Sequence, residues 1–152
     1  MRVILQRVEE ASVKVDDKIV GSIDHGVLIL VGFTQNDTEK EVGYIAKKIV
    51  NLRIFDDENG VMNKSLIDIN GSILSVSQFT LYADTSQGRR PSYIKALNGD
   101  EAIFLYDKFN QKLKEYGVEV KTGIFGENMK VSLVNDVPVS IMIEKENING
   151  EK

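Results

Sequence analysis

Apolar and polar positions alternate or cluster in short runs through the first third of the chain, a pattern typical of β-strands. Residues 3–8 are rich in β-branched side chains, and residues 11–15 alternate apolar with polar positions. The Asp-Asp pair at residues 16–17 predicts a hairpin turn into a strand over residues 18–23. The continuous apolar run over residues 27–33 predicts a strand that is buried on both faces.

Two segments carry the three- and four-residue apolar spacing of amphipathic helices. Thr38 is positioned to cap the first helix, and Glu41, three residues later, completes a capping box. The apolar face of this helix consists of Val42, Ile45, Ala46, Ile49 and Val50. The second helix is predicted to have Asp100 as its N-cap and Gly117 just beyond its C-terminus. Its predicted apolar face consists of Ala102, Leu105, Tyr106, Phe109, Leu113 and Tyr116.

The remaining apolar stretches complete an α+β pattern. Further strands are predicted at residues 52–55, 72–81, 118–121, 129–134 and 139–143. Residues 82–99 mix turn signals with basic and small residues and predict an ordered loop. The order of elements predicts a mostly antiparallel sheet or barrel-like core covered by two main helices. Residues 1–144 are expected to form a single domain, and residues 145–152 a polar, flexible tail.

The composition restricts the chemistry that is open to this chain. Its 152 residues include no cysteine and a single histidine, His25, so disulfides, a cysteine nucleophile and a Cys/His metal site are not expected. Walker and Rossmann glycine patterns are also missing, and we expect neither a metal nor another cofactor. No apolar run approaches the roughly 20 residues that span a bilayer, so a cytoplasmic protein without membrane contact is expected.

The charge of the chain argues against a protein that coats nucleic acid without specificity, because such a protein would be basic. The net charge is −4, so contact with nucleic acid should be small and local. The compact basic loop around Arg89 and Arg90 could bind phosphate, although a solvated loop is the commoner meaning of such a pattern. His25 lies beside a glycine between two strands and is more typical of an exposed turn than of a general base.

Two polar segments are candidates for a site. Ser77, Gln78 and Thr80 follow a buried strand, where hydroxyl and amide groups need hydrogen-bond partners or a ligand. Ordinary capping of the strand end explains them equally well. Pro138, ahead of the last strand, predicts a turn or a cis peptide that offers backbone carbonyls to a ligand. The residue pattern alone therefore indicates a polar site at a strand end without defining its substrate.

Five blocks in fixed order resemble the D-aminoacyl-tRNA deacylase family. They are MRVILQRV at residues 1–8, SQFTL at 77–81, GRRP at 88–91, TGIFG at 122–126 and NDVPV at 135–139. The resemblance extends from Met1 to about Ile143, nearly the whole chain. It implies a hydrolase that cleaves the ester between a D-amino acid and the 3′-terminal adenosine of tRNA, and that also removes glycine from mischarged tRNA. It implies a homodimer with active sites at the subunit interface.

The resemblance also implies roles for particular residues. The catalytic segment of one subunit, Ser77, Gln78, Phe79 and Thr80, would meet the proline motif of the other. The residues implied for chiral selection are Val137 and Pro138, with Arg7 bracing that motif. The residues implied for the terminal adenosine and the tRNA are Phe125, Gly126, Met129, Arg89 and Arg90. Attack by water, assisted by the neighbouring ribose hydroxyl, is favoured over Thr80 as a covalent nucleophile.

The chain departs from the family at the proline motif. The family has glycine before the proline, joined by a cis peptide, whereas this chain has Val137. A β-branched residue resists positive φ, so Val137 is expected to cost about 1–3 kcal/mol of strain or to reshape the pocket. Two alternatives to the deacylase follow: a catalytically weakened module that binds tRNA 3′ ends, and a hydrolase of small D-amino-acid esters or peptides.

Overall fold

Residues 1–148 and 150, the part of the chain that the computed structural model describes, form eight strands and two α-helices. The strands are β1 (Arg2–Val15), β2 (Lys18–Ile23), β3 (Gly26–Gly32), β4 (Phe55–Asp56), β5 (Met62–Lys64), β6 (Ser72–Ser77), β7 (Glu119–Thr122) and β8 (Met129–Glu144). The helices are α1 (Glu39–Asn51) and α2 (Gly99–Glu115), with a 3₁₀ helix at Phe79–Tyr82. This arrangement confirms the predicted α+β class.

A six-stranded sheet forms the centre of the molecule, with strands β2, β1, β3, β6 and β7 side by side and β8 paired with β1. The pairs that involve β1 are antiparallel, whereas β6 is parallel to both β3 and β7. The sheet curls until β2 approaches β7. A Cβ atom at Gly21 would lie 2.7 Å from the backbone oxygen of Thr122, so glycine permits this approach. The sheet is therefore barrel-like and nearly closed.

The two faces of the sheet pack into separate apolar clusters. The larger cluster lies between the sheet and the helices and includes Val27, Ile29 and Val31 of β3. The smaller one fills the inside of the curled sheet and includes Leu28 of the same strand, with Leu30 packed against it. Strand β3 is therefore buried on both faces, as its continuous apolar run predicted.

The N-cap predicted for α1 is confirmed, whereas the N-cap predicted for α2 is not. Thr38 and Glu41 form the predicted capping box of α1. Burial raises the pKa of Glu41, but hydrogen bonds from Thr38 outweigh it and leave that pKa below its ordinary value. The predicted N-cap of α2 was wrong: Asn98 holds that position, and Asp100 lies in the first turn. A carboxylate is favourable there too, because it faces the positive end of the helix dipole.

Three strand predictions also need correction. Residues 3–8 and 11–15 belong to one strand, β1, and residues 129–134 and 139–143 belong to one strand, β8. The two long strands pair with each other along nearly their whole lengths. Because of this pairing, each strand continues through the polar residues that were predicted to interrupt it. Residues 72–81 do not form one strand, because β6 ends at Ser77 and a 3₁₀ turn follows.

Two smaller predictions also differ from the structure. The strand predicted at residues 52–55 is reduced to β4, which forms a small hairpin with β5. Tyr116 is exposed at the C-cap of α2 rather than on its apolar face. Gly117 follows with φ of 81°, the conformation expected just beyond a helix C-terminus.

Where it is described, the C-terminal segment contacts the N-terminal residue and the loop before α1. The backbone N–H of Lys145 donates to the carbonyl of Met1 at 3.0 Å. The side-chain amide of Asn147 donates to the carbonyl of Asn36 at 2.9 Å. The predicted flexible tail also includes residues 149, 151 and 152, which lie outside the described residues. Within residues 1–148 and 150, no helix is long and apolar enough to cross a membrane.

Candidate active site

The candidate site begins where the parallel strands β3 and β6 end at the same edge of the sheet. Val31 pairs with Ser77, and the next residue, Gln78, donates its backbone N–H to the carbonyl of Val31 at 2.7 Å. The chain then turns sharply into the 3₁₀ helix. Gly32 permits this turn, because a Cβ atom there would lie 2.8 Å from the backbone oxygen of Gln78.

The turn after β6 presents several hydrogen-bonding groups. The side-chain amide of Gln78 donates to the hydroxyl of Thr80. The backbone N–H groups of Phe79 and Thr80 are at the N-terminus of the 3₁₀ helix, where no intrahelical acceptor exists. Within the described part of the chain, neither group has another acceptor. Two adjacent N–H groups are thus available to an external oxygen.

A cavity of about 460 Å³ lies between this turn and the loop before β8. Ser77, Gln78 and Phe79 line one side of it, and Phe125, Gly126 and Met129 line the other. The structure therefore brings together six of the residues that the resemblance implied. The volume lies within the range of small-molecule sites, roughly 300–1,000 Å³.

Phe125 lines the cavity and contacts Tyr106, a tyrosine of α2 that lies behind it. Its ring centroid lies 5.8 Å from that of Tyr106 on α2, and the two rings are tilted by 49°. The Tyr106 hydroxyl donates to the carbonyl of Ser75 at 2.8 Å. Burial raises the pKa of Tyr106, so the phenol stays protonated and holds α2 against β6 behind the cavity.

Four of the lining residues that were not predicted from the sequence come from beyond the turn after β6 and the loop before β8. They are Phe33, Leu97, Asn98 and Ala102, which follow β3 or surround the start of α2. Phe33 could have been inferred, because the carboxyl ends of neighbouring parallel strands meet at one edge. The other three come from a connecting segment whose path depends on tertiary packing. The backbone N–H of Leu97 donates to the carbonyl of Phe33 at 2.9 Å and fixes that path.

The proline motif protrudes from the ladder between β1 and β8. Asn135 pairs with Val8 and Ser140 with Gln6, so residues 136–139 lie opposite Arg7 alone and bulge outward. The Val137–Pro138 peptide is cis, and Val137 has φ of 102° with 73% of its surface exposed. This backbone region favours glycine, as the departure from the family motif predicted.

Side chains close the base of this protruding loop. The amide oxygen of Asn135 accepts from the backbone N–H of Val139 at 3.0 Å. The amide nitrogen of Asn135 donates to the hydroxyl of Ser140 at 3.0 Å, and Gln6 donates to the same hydroxyl at 3.3 Å. These bonds hold the two ends of the loop together and expose its tip.

Arg7 is buried directly beneath the loop, with only 3% of its surface exposed. Its guanidinium donates to the carbonyl of Ile54 at 2.7 Å and to that of Asp136 at 3.3 Å. The carboxylates of Asp56 and Asp136 lie 3.6 and 3.5 Å from it. The guanidinium thus contacts the loop from below, in the position that the resemblance implied.

The loop and the cavity do not meet within this chain. Gln6 of β1, beside the loop, pairs with Leu28 of β3, whereas the cavity begins three residues further along β3 at Val31. Three residues of strand correspond to about 10 Å. Neither Val137 nor Pro138 lines the cavity.

The basic loop lies outside the cavity lining. Backbone hydrogen bonds of 2.8 and 2.9 Å between Asp84 and Ser92 close its base, and Arg89 and Arg90 are exposed. Hydrogen bonds from Ser86 lower the pKa of Asp84, which keeps this carboxylate charged and the loop base ordered. Among the described residues, no carboxylate lies within 4.0 Å of either guanidinium.

His25 lies at the other end of the parallel strands. Its carbonyl accepts from Ser72 at the start of β6, and its exposed ring packs edge-on against Phe55 at 5.4 Å. The site begins at Ser77, about 16 Å further along the strand. His25 therefore does not reach the site. Within residues 1–148 and 150, no group of three or more potential ligands could hold a metal ion.

Comparison with known proteins places these features in one family. A family model described as D-Tyr-tRNA(Tyr) deacylase matches residues 4–144. Over 144 residues the chain is 56% identical to a D-aminoacyl-tRNA deacylase of Bacillus cytotoxicus, covering 95% of this chain and 99% of that protein. It is 55% identical over 144 residues to the D-aminoacyl-tRNA deacylase of Bacillus pumilus, with 95% and 98% covered.

Two solved structures have a similar fold. A structure described as c-Myc DNA Unwinding Element Binding Protein has a TM-score of 0.90 at 37% identity, covering 96% of this chain and 99% of that one. Another, described as a probable eukaryotic D-amino acid tRNA deacylase, has a TM-score of 0.81 at 20% identity, covers 93% and 97%, and shows the shared fold. By the family match and by its identity to curated relatives, the chain belongs to the D-Tyr-tRNA(Tyr) deacylase family.

Proposed function

We propose that this protein hydrolyses the ester that joins a D-amino acid to the 3′-terminal adenosine of tRNA, and so proofreads aminoacyl-tRNA for translation in the cytoplasm. Family membership supports the activity. The observation that carries the proposal is the cavity between the turn after β6 and the loop before β8, with two free N–H groups at the turn. Its volume suits a nucleoside.

The adenosine is assigned to the side of the cavity formed by Phe125, Gly126 and Met129. Phe125 offers an aromatic face and Met129 an adaptable apolar contact, both suited to a purine. Gly126 has φ of 81°, a conformation that glycine adopts without strain. The ester carbonyl would then lie towards the turn at Gln78.

The chemistry needs little beyond positioning, because an aminoacyl ester is already reactive. The backbone N–H groups of Phe79 and Thr80 stabilise the negative charge that develops on the carbonyl oxygen. Water attacks the carbonyl carbon, assisted by the neighbouring ribose hydroxyl. The ester C–O bond breaks, the ribose oxygen takes up a proton, and free tRNA and the amino acid leave.

Covalent attack by Thr80 is ranked lower. A serine- or threonine-type nucleophile needs a neighbouring base to take its proton. The Thr80 hydroxyl instead accepts a hydrogen bond from Gln78. Within the described residues, no histidine, lysine or carboxylate hydrogen-bonds that hydroxyl. Direct attack by water fits this arrangement better.

A homodimer would complete the site. The tip of the proline motif is exposed and lies far from its own subunit's cavity. Phe79 and Tyr93 form an exposed aromatic pair at 5.1 Å beside the cavity, and the neighbouring Ile94 is also exposed. Such an apolar surface is typical of an interface. We place Val137 and Pro138 of one subunit against this surface of the other.

Chiral selection would then come from backbone atoms of the inserted motif. Arg7 holds the carbonyl of Asp136, and Asn135 holds the backbone of Val139, so the carbonyls around Pro138 are fixed in place. Fixed carbonyls leave room for hydrogen on one side of the substrate Cα atom and exclude an L side chain. Glycine, which has no side chain, would also be accepted.

The test is to incubate the purified protein with D-tyrosyl-tRNA and to measure the release of free D-tyrosine. The proposal predicts multiple turnovers. Binding of the charged tRNA without turnover would contradict it and favour a tRNA 3′-end binding module. Hydrolysis of D-tyrosine methyl ester but not of D-tyrosyl-tRNA would instead favour a small-molecule esterase.

A further inference from the structure

A basic groove at the C-terminal end of α1 has no role in the chemistry described above. It has a volume of about 730 Å³, and Tyr44, Lys47, Lys48 and Arg53 lie among its lining residues. All four side chains are exposed. The groove is concave and positively charged, although the whole chain carries a net charge of −4.

Tyr44 organises part of this positive charge. The ammonium groups of Lys48 and Lys145 lie 5.7 and 4.9 Å from the centroid of its ring. Cation–π attraction favours both positions. Two flexible side chains are thereby held on one aromatic ring, which lowers the entropy that they would lose on binding an anion.

The lysines of the groove have no close carboxylate among the described residues, whereas Arg53 attracts the carboxylate of Asp68 from beyond ion-pair distance. Within residues 1–148 and 150, no carboxylate lies within 4.0 Å of Lys47, Lys48, Arg53 or Lys145. On the neighbouring helix α2, by contrast, Lys108 and Lys112 each lie within 4.0 Å of a glutamate. Clustered lysines without a close carboxylate, in an acidic protein, indicate a surface that binds an anion from outside.

The groove is connected to the proline motif through Arg7. Arg53 directly precedes Ile54, whose carbonyl accepts from the Arg7 guanidinium at 2.7 Å. The same guanidinium donates to Asp136 at the base of the protruding loop. One buried side chain thus fixes the end of the groove beside the motif that carries chiral selection.

We propose that this groove binds the sugar–phosphate backbone of the tRNA that is being deacylated, away from the terminal adenosine. The inference rests on the proposed function, because it requires a tRNA whose 3′ end is in the active site. A phosphate backbone matches the groove in charge, and the spaced ammonium and guanidinium groups suit successive phosphates. A membrane surface fits less well, since the groove is concave and presents a single aromatic ring.

The test compares wild type with Lys47→Glu/Lys48→Glu in binding to uncharged tRNA over a range of salt concentrations. The variant should bind about tenfold or more weakly, and the slope of log affinity against log salt should fall by about two. Hydrolysis of D-tyrosyl-adenosine, a substrate without the tRNA body, should be unchanged. Lys47→Arg/Lys48→Arg should keep wild-type affinity.

A matched control carries the same change of charge on another helix. Lys108→Glu/Lys112→Glu should lower tRNA affinity much less, because those lysines already have carboxylate neighbours. Thermal denaturation of all variants verifies that they are folded. The proposal is overturned if Lys108→Glu/Lys112→Glu weakens tRNA binding as much as Lys47→Glu/Lys48→Glu does. It is also overturned if Lys47→Glu/Lys48→Glu leaves tRNA affinity intact and weakens binding to phosphatidylglycerol vesicles instead.

The two proposals fail in different ways. If the wild-type protein cleaves neither D-tyrosyl-tRNA nor D-tyrosyl-adenosine, the proposed function is wrong, while the affinity measurements still decide the role of the groove. If it cleaves both, and Lys47→Glu/Lys48→Glu has unchanged tRNA affinity, only the groove proposal is wrong.

Discussion

Replacing Val137 with glycine should stabilise the protein, which is unusual for a substitution that removes a side chain. Val137 has φ of 102°, a region that β-branched residues strongly resist. Such a conformation costs roughly 1–3 kcal/mol, which glycine would not incur. Against this gain, glycine gives the unfolded chain more conformational entropy, which lowers the free energy of unfolding by about 0.5–1 kcal/mol.

Little packing within its own chain would be lost in exchange. Val137 is 73% exposed, so only about a quarter of its surface is buried. Since a fully buried valine contributes about 1.5–3 kcal/mol, this fraction amounts to roughly 0.5 kcal/mol. The net result is a stabilisation of about 1 kcal/mol, or roughly 2–4 °C in Tm for a chain of this size.

Val134→Gly is the matched control, because Val134 lies on the same strand and does not have positive φ. It is 43% exposed, so it loses more burial, and it gains no relief of strain. It should be destabilised by about 1.5 kcal/mol. Thermal or urea denaturation of both variants should therefore give shifts of opposite sign. A loss of stability in Val137→Gly as large as that in Val134→Gly would refute the assignment of strain to this position.

Four other substitutions test separate parts of the structure. Arg7→Met should destabilise the protein by about 2–3 kcal/mol in urea denaturation, because it removes the charged donor from the carbonyls of Ile54 and Asp136 while the two neighbouring carboxylates stay partly hydrated. Gly32→Ala should lower kcat for D-tyrosyl-tRNA at least about tenfold, since its methyl group would lie 2.8 Å from a backbone oxygen of the catalytic turn; unchanged kinetics would show that the turn tolerates displacement. Arg89→Ala/Arg90→Ala should raise KM for charged tRNA more than it lowers kcat, and an unchanged salt dependence of KM would identify a merely solvated loop. Glu41→Gln should cost about 1 kcal/mol at pH 7, and because the folded pKa of Glu41 is lowered, the gap from wild type should narrow as pH falls through that pKa.

The features that could be predicted from the sequence are those set by neighbouring residues. The capping box of Thr38 and Glu41 and the doubly buried strand β3 depend on spacing and local composition, and both were found as predicted. The start of α2 depends on a choice between Asn98 and Asp100, two good capping residues only two positions apart. Local preference alone does not distinguish them.

Distant pairing accounts for most of what the sequence did not reveal. The polar residues between 8 and 11 in β1 looked like a break, yet pairing with β8 continues the strand. The approach of Leu97 and Asn98 to the cavity depends on a hydrogen bond to Phe33, more than 60 residues earlier. The glycine of the family motif, in contrast, indicated that Val137 would be strained if the motif requires a glycine conformation, and the structure gives Val137 a positive φ.

The basic groove shows a further limit of reading the sequence. Lys47 and Lys48 near the end of α1 are explained by the helix dipole alone, which favours cations at a C-terminus. Only the structure shows that Lys145, almost 100 residues later, lies against Tyr44 beside them. It also shows that Arg7 donates a hydrogen bond to the carbonyl of Ile54, the residue after Arg53.

The most direct test of the account is a competition between the two stereoisomers of one substrate. The protein is given a mixture of D-tyrosyl-tRNA and L-tyrosyl-tRNA whose amino acids carry different isotopes, and the ratio of the isotopes released is measured. A site that selects by fixed backbone carbonyls should release the D isomer in large excess from the first turnover. Release of both isomers in the proportion supplied would contradict it.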